Sequence, residues 1–329
     1  MPVLALTEAE ELVTAILMRC RTGADNARSV ARALVAAEAD GLKGHGLSRV
    51  PTYAAQAKAG KIDGFATPVT ERVRSGLLAI DAANGFAYPA IGMAEAALPE
   101  MARACGLAAA TIRRSHHCGA AGHPAERLAN AGFVALLFAN TPAGIAPWGG
   151  SKGVFGTNPI AFACPLPGRP PIVVDLSLSK VARGNILAAK QKGERIPEGL
   201  AFDAEGRPTT DPDAALGGTM APLGDAKGAA LALMVELFAA GLTGAHFAFE
   251  ASSFLDAKGP PPGTGQLMMV FDPEAFAANA IARFAVLAGA IEEQPGARLP
   301  GTRRVAAREK AARDGLIIAD ALLTEIKAL

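Results

Sequence analysis

Aromatic side chains are scarce in this sequence: Phe, Trp and Tyr together make up 5%, with one Trp and two Tyr in 329 residues. A core built without them must use small aliphatic side chains, and alanine is abundant. Cysteine is sparse as well. Cys20, Cys105, Cys118 and Cys164 lie far apart without paired spacing, which argues against a disulfide framework and for free thiols in a reducing cytoplasm. No run reaches the roughly 18 apolar residues that span a bilayer, so no membrane is expected as a partner. The start, MPVLALTEAEELV, lacks the basic opening and long apolar stretch of a secretory signal. An excess of one charge is missing too. Acids and bases are mixed, the net charge is +1, and nothing resembles a phosphate-backbone footprint, so nucleic acid is excluded. Hydrophobic residues make up 50%, which excludes a disordered chain, and the length suits two lobes.

What is present is periodicity of two kinds. Residues 7–60 read as helical. Thr7 with Glu10 forms a capping-box pattern, and Asp25 can cap a second helix with Ala27, Val30, Ala31 and Leu34 on one face. That helix should end near Asp40-Gly41. Ser48 can cap a third, with Pro51 in its first turn, which leaves His45 in the entering loop and Arg49 in the first turn. From about residue 75, short apolar runs (LLAIDA, LAAATIRR, FVALLFAN, IAFACP, IVVDLS, GQLMMVFD) alternate with helix-like stretches near 88–104 and 121–131. Alternating strands and helices predict an α/β lobe over residues 73–275. Residues 1–72 and 276–329 are expected to build a helical lobe from both chain ends.

Several stretches carry chemistry, each with a bland alternative. Gly44-His45-Gly46 with Arg49 reads as a proton donor beside a carboxylate clamp, or as a turn capping a helix. RRSHHCGAAGHPAERL places small residues at a helix start, where free N–H groups attract an anion such as a dinucleotide phosphate. No GxGxxG or Walker loop occurs. The same stretch read as a zinc site has His116, His117, Cys118 and His123, but no second ligand cluster, since the other two histidines, His45 and His246, stand alone. Thr157 and Asn158 enter a strand. Asp175 ends another, where it can meet a ribose hydroxyl or cap the next helix. Lys227 opens a long apolar helix against its dipole. Arg303, Arg304 and Arg308 can hold a 2′-phosphate or form an exposed helix face.

Singly these are weak, but their order is informative. GHGLSRVPTY, SHHCGAAGHPA, FGTNPIAFACP, VVDLSLSKVARGNI, IPEGLAFDAEGRPTTDP, GDAKGAALALMVELFAAGLTGA and RLPGTRR follow one another along the chain. In this the sequence resembles the malate/L-lactate dehydrogenase family that lacks a Rossmann fold, over nearly its whole length. The resemblance implies a non-Rossmann α/β fold with a mixed sheet, a homodimer with active sites near the interface, and reduction of 2-oxo or cyclic 2-imino acids by NADPH or NADH. It implies that His45 donates the proton, that Arg49 clamps the substrate carboxylate, and that Thr157, Arg183 and Gly184 touch substrate. His117, Cys118, Gly119, Ala120 and Ala121 would form the pyrophosphate loop. Asp175, Leu176, Ser177, Lys227, Arg303 and Arg304 would meet the rest of the cofactor.

One departure bears on the substrate. Many members have serine where this chain has Gly44, and here Lys43 stands beside it. A cation next to His45 favours the neutral imidazole. That handicaps ketone reduction, which must protonate an alkoxide, but not reduction of an iminium that already carries its proton. The expected reaction is therefore NADPH-dependent reduction of 1-pyrroline-2-carboxylate to L-proline and 1-piperideine-2-carboxylate to L-pipecolate. The alternative is an NAD(P)-dependent 2-hydroxy acid dehydrogenase.

Overall fold

The computed structural model describes residues 2–329. A seven-stranded mixed sheet forms its centre, in the order Val69–Arg74, Leu77–Asp81, Leu107–Ser115, Thr264–Phe271, Val134–Ala139, Ile160–Leu166, Arg169–Leu176. Among the described residues, only Leu77–Asp81 and Leu107–Ser115 pair in parallel, with Ile80 opposite Ile112. A parallel pair needs a crossover. The helix Ala87–Cys105 supplies it and packs on the strand it leads into.

The apolar runs of the sequence are these strands, and alternation along them feeds two cores. In Thr264–Phe271, Met268 and Val270 join a core of small side chains beneath helices Ala87–Cys105 and Gly122–Asn130. Leu267 and Met269 face the other way, toward Phe138, Phe155 and Val235 of helix Ala226–Glu236. Side chains at i and i+2 share a sheet face, so one strand serves both layers. Alanine makes the first core tight: Ala90, Ala94, Ala108, Ala110, Ala135 and Ala163 are all fully buried.

A third core lies in the helices Leu6–Arg19, Ala24–Ala39 and Val50–Lys58. It is completed from the far end of the sequence by Ala311, Leu316, Ile318, Leu323 and Ile326. Two short strands tie the ends together, Val3–Leu4 against Leu316–Ile317. The division expected at residues 72 and 276 needs two corrections. Val69–Arg74 is an edge strand of the sheet, and helix Ala280–Glu292 packs on Ile160–Leu166. Its residues Ala288, Phe284 and Ile291 meet Leu166 and Leu299 rather than the helical core.

Local starts also differ from expectation. The first helix begins at Leu6, and Glu8 rather than Glu10 accepts the backbone N–H of Ala5 at 2.9 Å. Asp25 lies inside the second helix and pairs with Arg28. Ser48 does not cap the third. Its Oγ donates to the Lys43 carbonyl at 2.6 Å, and Arg49 takes the cap position before Val50 and Pro51. A small three-stranded sheet, Thr219–Met220, Ala201–Phe202 and Pro208–Thr209, has its own core with helices Arg183–Lys192 and Pro212–Gly217.

Candidate active site

The turn bearing His45 is shaped by Glu38, a buried carboxylate in the last turn of helix Ala24–Ala39. Glu38 accepts the Leu47 N–H at 3.0 Å and pairs with the Lys43 ammonium. A Cβ on Gly46 would collide with the Glu38 side chain and stand 3.0 Å from its Cα. Glycine is therefore required after His45 because two backbones approach closely. Gly44 is different: a Cβ there meets nothing within 4 Å. Its carbonyl accepts the Arg49 Nε–H at 2.7 Å, which turns the guanidinium back toward His45 and leaves its Nη edge free of that bond.

His45 stacks on His117, with ring centroids 5.2 Å apart and planes 15° from parallel. His117 comes from the end of strand Leu107–Ser115, so this contact joins the helical region to the sheet. His117 Nδ1 lies 2.6 Å from the Tyr53 hydroxyl, which lies 3.1 Å from that of Tyr88. The chain has two tyrosines, and both are spent here. His116 lies behind, edge-on to Tyr53 at 5.7 Å and against Phe254 at 4.8 Å.

Burial holds these imidazoles neutral. His45 falls to about 4, chiefly by desolvation and then by the Arg49 charge. His116 falls to about 3, through burial, Lys61 and Arg49. His117 falls well below its ordinary value for the first and last of these reasons. The neutral His45 expected from the sequence is present, but its cause is not Lys43, whose charge is matched by Glu38. Tyr53, whose hydroxyl burial pushes up to about 12, stays a neutral hydrogen-bonding group.

On the sheet side, Asp175 Oδ2 accepts the Gly122 N–H at 2.8 Å and lies 3.5 Å from Arg304 Nη1. Gly122 starts the helix after the Cys118–Ala121 loop, and a Cβ on it would meet both Arg304 and Asp175 within 3.0 Å. Asp175, Leu176, Arg298, Arg303 and Arg304 line a cavity of about 520 Å³ that reaches Leu42 beside the turn bearing His45. Both terminal nitrogens of Arg304 are buried without a hydrogen-bond acceptor, which suits a phosphate. The Asp175 charge also acts on His45 and on Cys118, so this carboxylate is near both groups. Gly119 bends the loop at φ 71°, and a Cβ there would crowd the Tyr88 ring.

The remaining candidates stand elsewhere. Thr157 N–H donates to Thr141 Oγ1 at 2.9 Å, and its carbonyl accepts the Leu178 N–H. Ser177 Oγ lies 2.9 Å from Ser179 Oγ. Arg183 donates to the Leu216 carbonyl at 2.6 Å, Gly184 is exposed, and Lys227 is exposed at the start of its helix. None of these lines the cavity. Arg308 departs from the expected phosphate cluster: it chelates Asp40 at 2.7 and 2.8 Å and Glu126 at 2.9 and 2.8 Å. Asp40 also meets His123 Nε2 at 2.9 Å. His123 is thereby committed to a carboxylate, and burial pushes the Cys118 thiol up to about 12, so neither is offered as a zinc ligand. Tyr53, Tyr88, Arg298 and Phe254 were missed. Tyr53 had a signal, being four residues after Arg49 on one helix face.

Comparison with known proteins fits this geometry. The family described as malate/L-lactate dehydrogenase matches residues 4–327. A (2R)-3-sulfolactate dehydrogenase (NADP(+)) of Chromohalobacter salexigens is 52% identical, over 99% of this chain and 97% of that one. A Delta(1)-pyrroline-2-carboxylate/Delta(1)-piperideine-2-carboxylate reductase of Pseudomonas putida is 40% identical, over 98% and 95%. The crystal structure of delta1-piperideine-2-carboxylate reductase from Pseudomonas syringae pvar. tomato superposes with TM-score 0.94 at 38% identity, covering 100% of this chain and 99% of that one.

Proposed function

The chain belongs to the malate/L-lactate dehydrogenase family, and from that premise we propose that it is an NADPH-dependent oxidoreductase acting at C2 of a small carboxylate. The cofactor, when bound, supplies or accepts a hydride. Its phosphates are assigned to Arg298, Arg303, Arg304 and the Cys118–Ala121 loop, with Asp175 and Leu176 beside them; Ser177 and Lys227, outside the cavity, are assigned to the cofactor on the family resemblance alone. NADPH is favoured by three arginines at one cavity and by a relative named for NADP(+).

Arg49 binds the substrate carboxylate through its Nη edge; Thr157, Arg183 and Gly184, which lie outside the cavity, are assigned to the substrate side on the family resemblance alone. Fixing the carboxylate fixes which face of C2 meets the nicotinamide, and such placement is a large part of catalysis. The observation that carries the reaction is neutral His45 beside Arg49. A neutral imidazole accepts a proton. It serves oxidation of a 2-hydroxy acid, taking the hydroxyl proton as hydride leaves C2, when a bound substrate carboxylate offsets the Arg49 charge that weakens it as a base. The 52% identical relative supports a 2-hydroxy acid with a second anionic group, of the 3-sulfolactate kind. The second reading is reduction of cyclic imino acids to L-proline and L-pipecolate. An iminium brings its own proton and makes no demand on His45, and the reductase relatives support it.

One absorbance assay separates the two. NADP(+) reduction with 3-sulfolactate, malate and lactate is compared with NADPH oxidation by the two cyclic imines. Turnover of the hydroxy acids alone supports the first reading, and turnover of the imines alone supports the second. No turnover of either set removes both. Exposed Leu233 and Leu237, four residues apart along one helical stretch, support a homodimer burying this apolar face, to be checked by light scattering. Unpaired cysteines support a cytoplasmic setting.

A further inference from the structure

Residues 242–263 cross from helix to strand without a regular element. A stretch that long inside a packed domain is usually a working part. Its base is fixed, since the His246 N–H donates to the Gly263 carbonyl at 2.9 Å and the His246 carbonyl accepts Asn140 Nδ2 at 2.8 Å. Its far portion is held from the helical region by two buried side chains. The Lys61 ammonium, 2% exposed, donates to the carbonyls of Ser253, Asp256 and Lys258 at 2.6, 3.0 and 2.6 Å. Gln56 Nε2 donates to the carbonyls of Phe254 and Asp256 at 3.1 and 2.9 Å. A buried ammonium is costly unless its donors are satisfied. Here all its hydrogen bonds go to one turn, whose single large buried side chain is Phe254.

That ring lies 4.8 Å from His116 and 5.4 Å from His117, the imidazole that stacks on His45. We propose that Phe254 is a specificity-determining wall of the substrate pocket, limiting the group carried on C2, and that Lys61 is the positioning residue that sets it there. This rests on the reading of the His45–Arg49 site as the substrate site. The occupant it excludes is a larger homologue of the natural substrate. Trimming the ring lets His117 and the neighbouring space relax toward it, while releasing the turn moves the same wall.

The test measures kcat/KM on a graded panel: pyruvate, 2-oxobutanoate, 2-oxohexanoate, 3-sulfopyruvate and the five- and six-membered cyclic imines with NADPH. The full chain is compared with Phe254→Leu, Phe254→Ala and Lys61→Met. Each Phe254 variant is expected to raise the ratio of larger to smaller homologue by about 10-fold or more, the scale of one or two methylenes in a pocket. Lys61→Met should move the ratio the same way. A merely structural defect lowers the active fraction and scales all substrates equally, so the ratio separates positioning from stability. A wild-type chain inactive on every member overturns the site reading and this inference with it. An active wild type whose ratio is unchanged in all three variants overturns this inference alone.

Discussion

Two buried polar groups lie within a few residues of each other in sequence and have opposite characters. Both draw on the segment RRSHHCGAAGH. In one, His123 joins Asp40, Arg308 and Glu126, so that every charge has an opposite partner. In the other, His116 and His117 are buried and His45 half-buried against rings and near the Arg49 cation, and all three are driven neutral. Compensated charge fixes one element to another. Imidazoles kept neutral, with His45 Nδ1 and both His116 nitrogens without partners, are a cost that the proton chemistry proposed for His45 would explain. Asp40 shows the contrast from the other side: burial raises it, but Arg308 and His123 overcome that and hold it down at about 2.

The largest test of this contrast is His45→Ala. If the substrate is a 2-hydroxy acid, kcat should fall about 10²- to 10⁴-fold, while the unfolding midpoint stays within a few degrees. An iminium substrate would show a smaller fall. Asp40→Ala should do the reverse. Arg308 keeps Glu126, but His123 loses its carboxylate, which costs about 1–3 kcal/mol, seen in denaturant melts, with activity per folded molecule retained. If the two variants exchange phenotypes, the contrast is wrong.

Acid should separate the groups by pH window. Below 6.5 the unfolded chain protonates its histidines while the folded chain resists, so stability falls between 6.5 and about 4 for His45, and to about 3 for His116. The slope is at most about 1.4 kcal/mol per pH unit for each such group. Asp40 contributes stability that is complete above 3.8 and is lost as pH falls toward about 2. Stability measured against pH in wild type and His116→Gln should show a shallower upper window in the variant, and an unchanged slope would count against a buried neutral His116. The smallest effect is expected from Lys43→Met. With Glu38 absorbing that charge, the His45 titration followed by NMR should move by less than about half a pH unit.

Legibility in the sequence followed how local each feature is. The strands are apolar runs, so LLAIDA, LAAATIRR and GQLMMVFD all read correctly. The small sheet at residues 201–220 is built from two-residue strands, too short to show any period. His45 and Arg49 were visible because two glycines and a helix start bracket them. Lys43 was misjudged because its partner, Glu38, belongs to the preceding helix. Arg308 was misjudged because its partners are Asp40 and Glu126, and a pairing across most of the chain leaves no local trace. Lys61 and Phe254 went unnoticed for the same reason: a buried lysine reads as a surface one until the carbonyls around it are known.

The helical core spans the chain in time as well as in space. Ala9 through Phe86 share it with Ala311, Leu316, Ile318, Leu323 and Ile326. A ribosome adding roughly 5–20 residues per second takes at least about 10 s to travel from one set to the other. During that interval the earliest helices carry an unfinished greasy face. Final docking of this unit must therefore wait until residues 311–326 have been made and can reach the helices already formed.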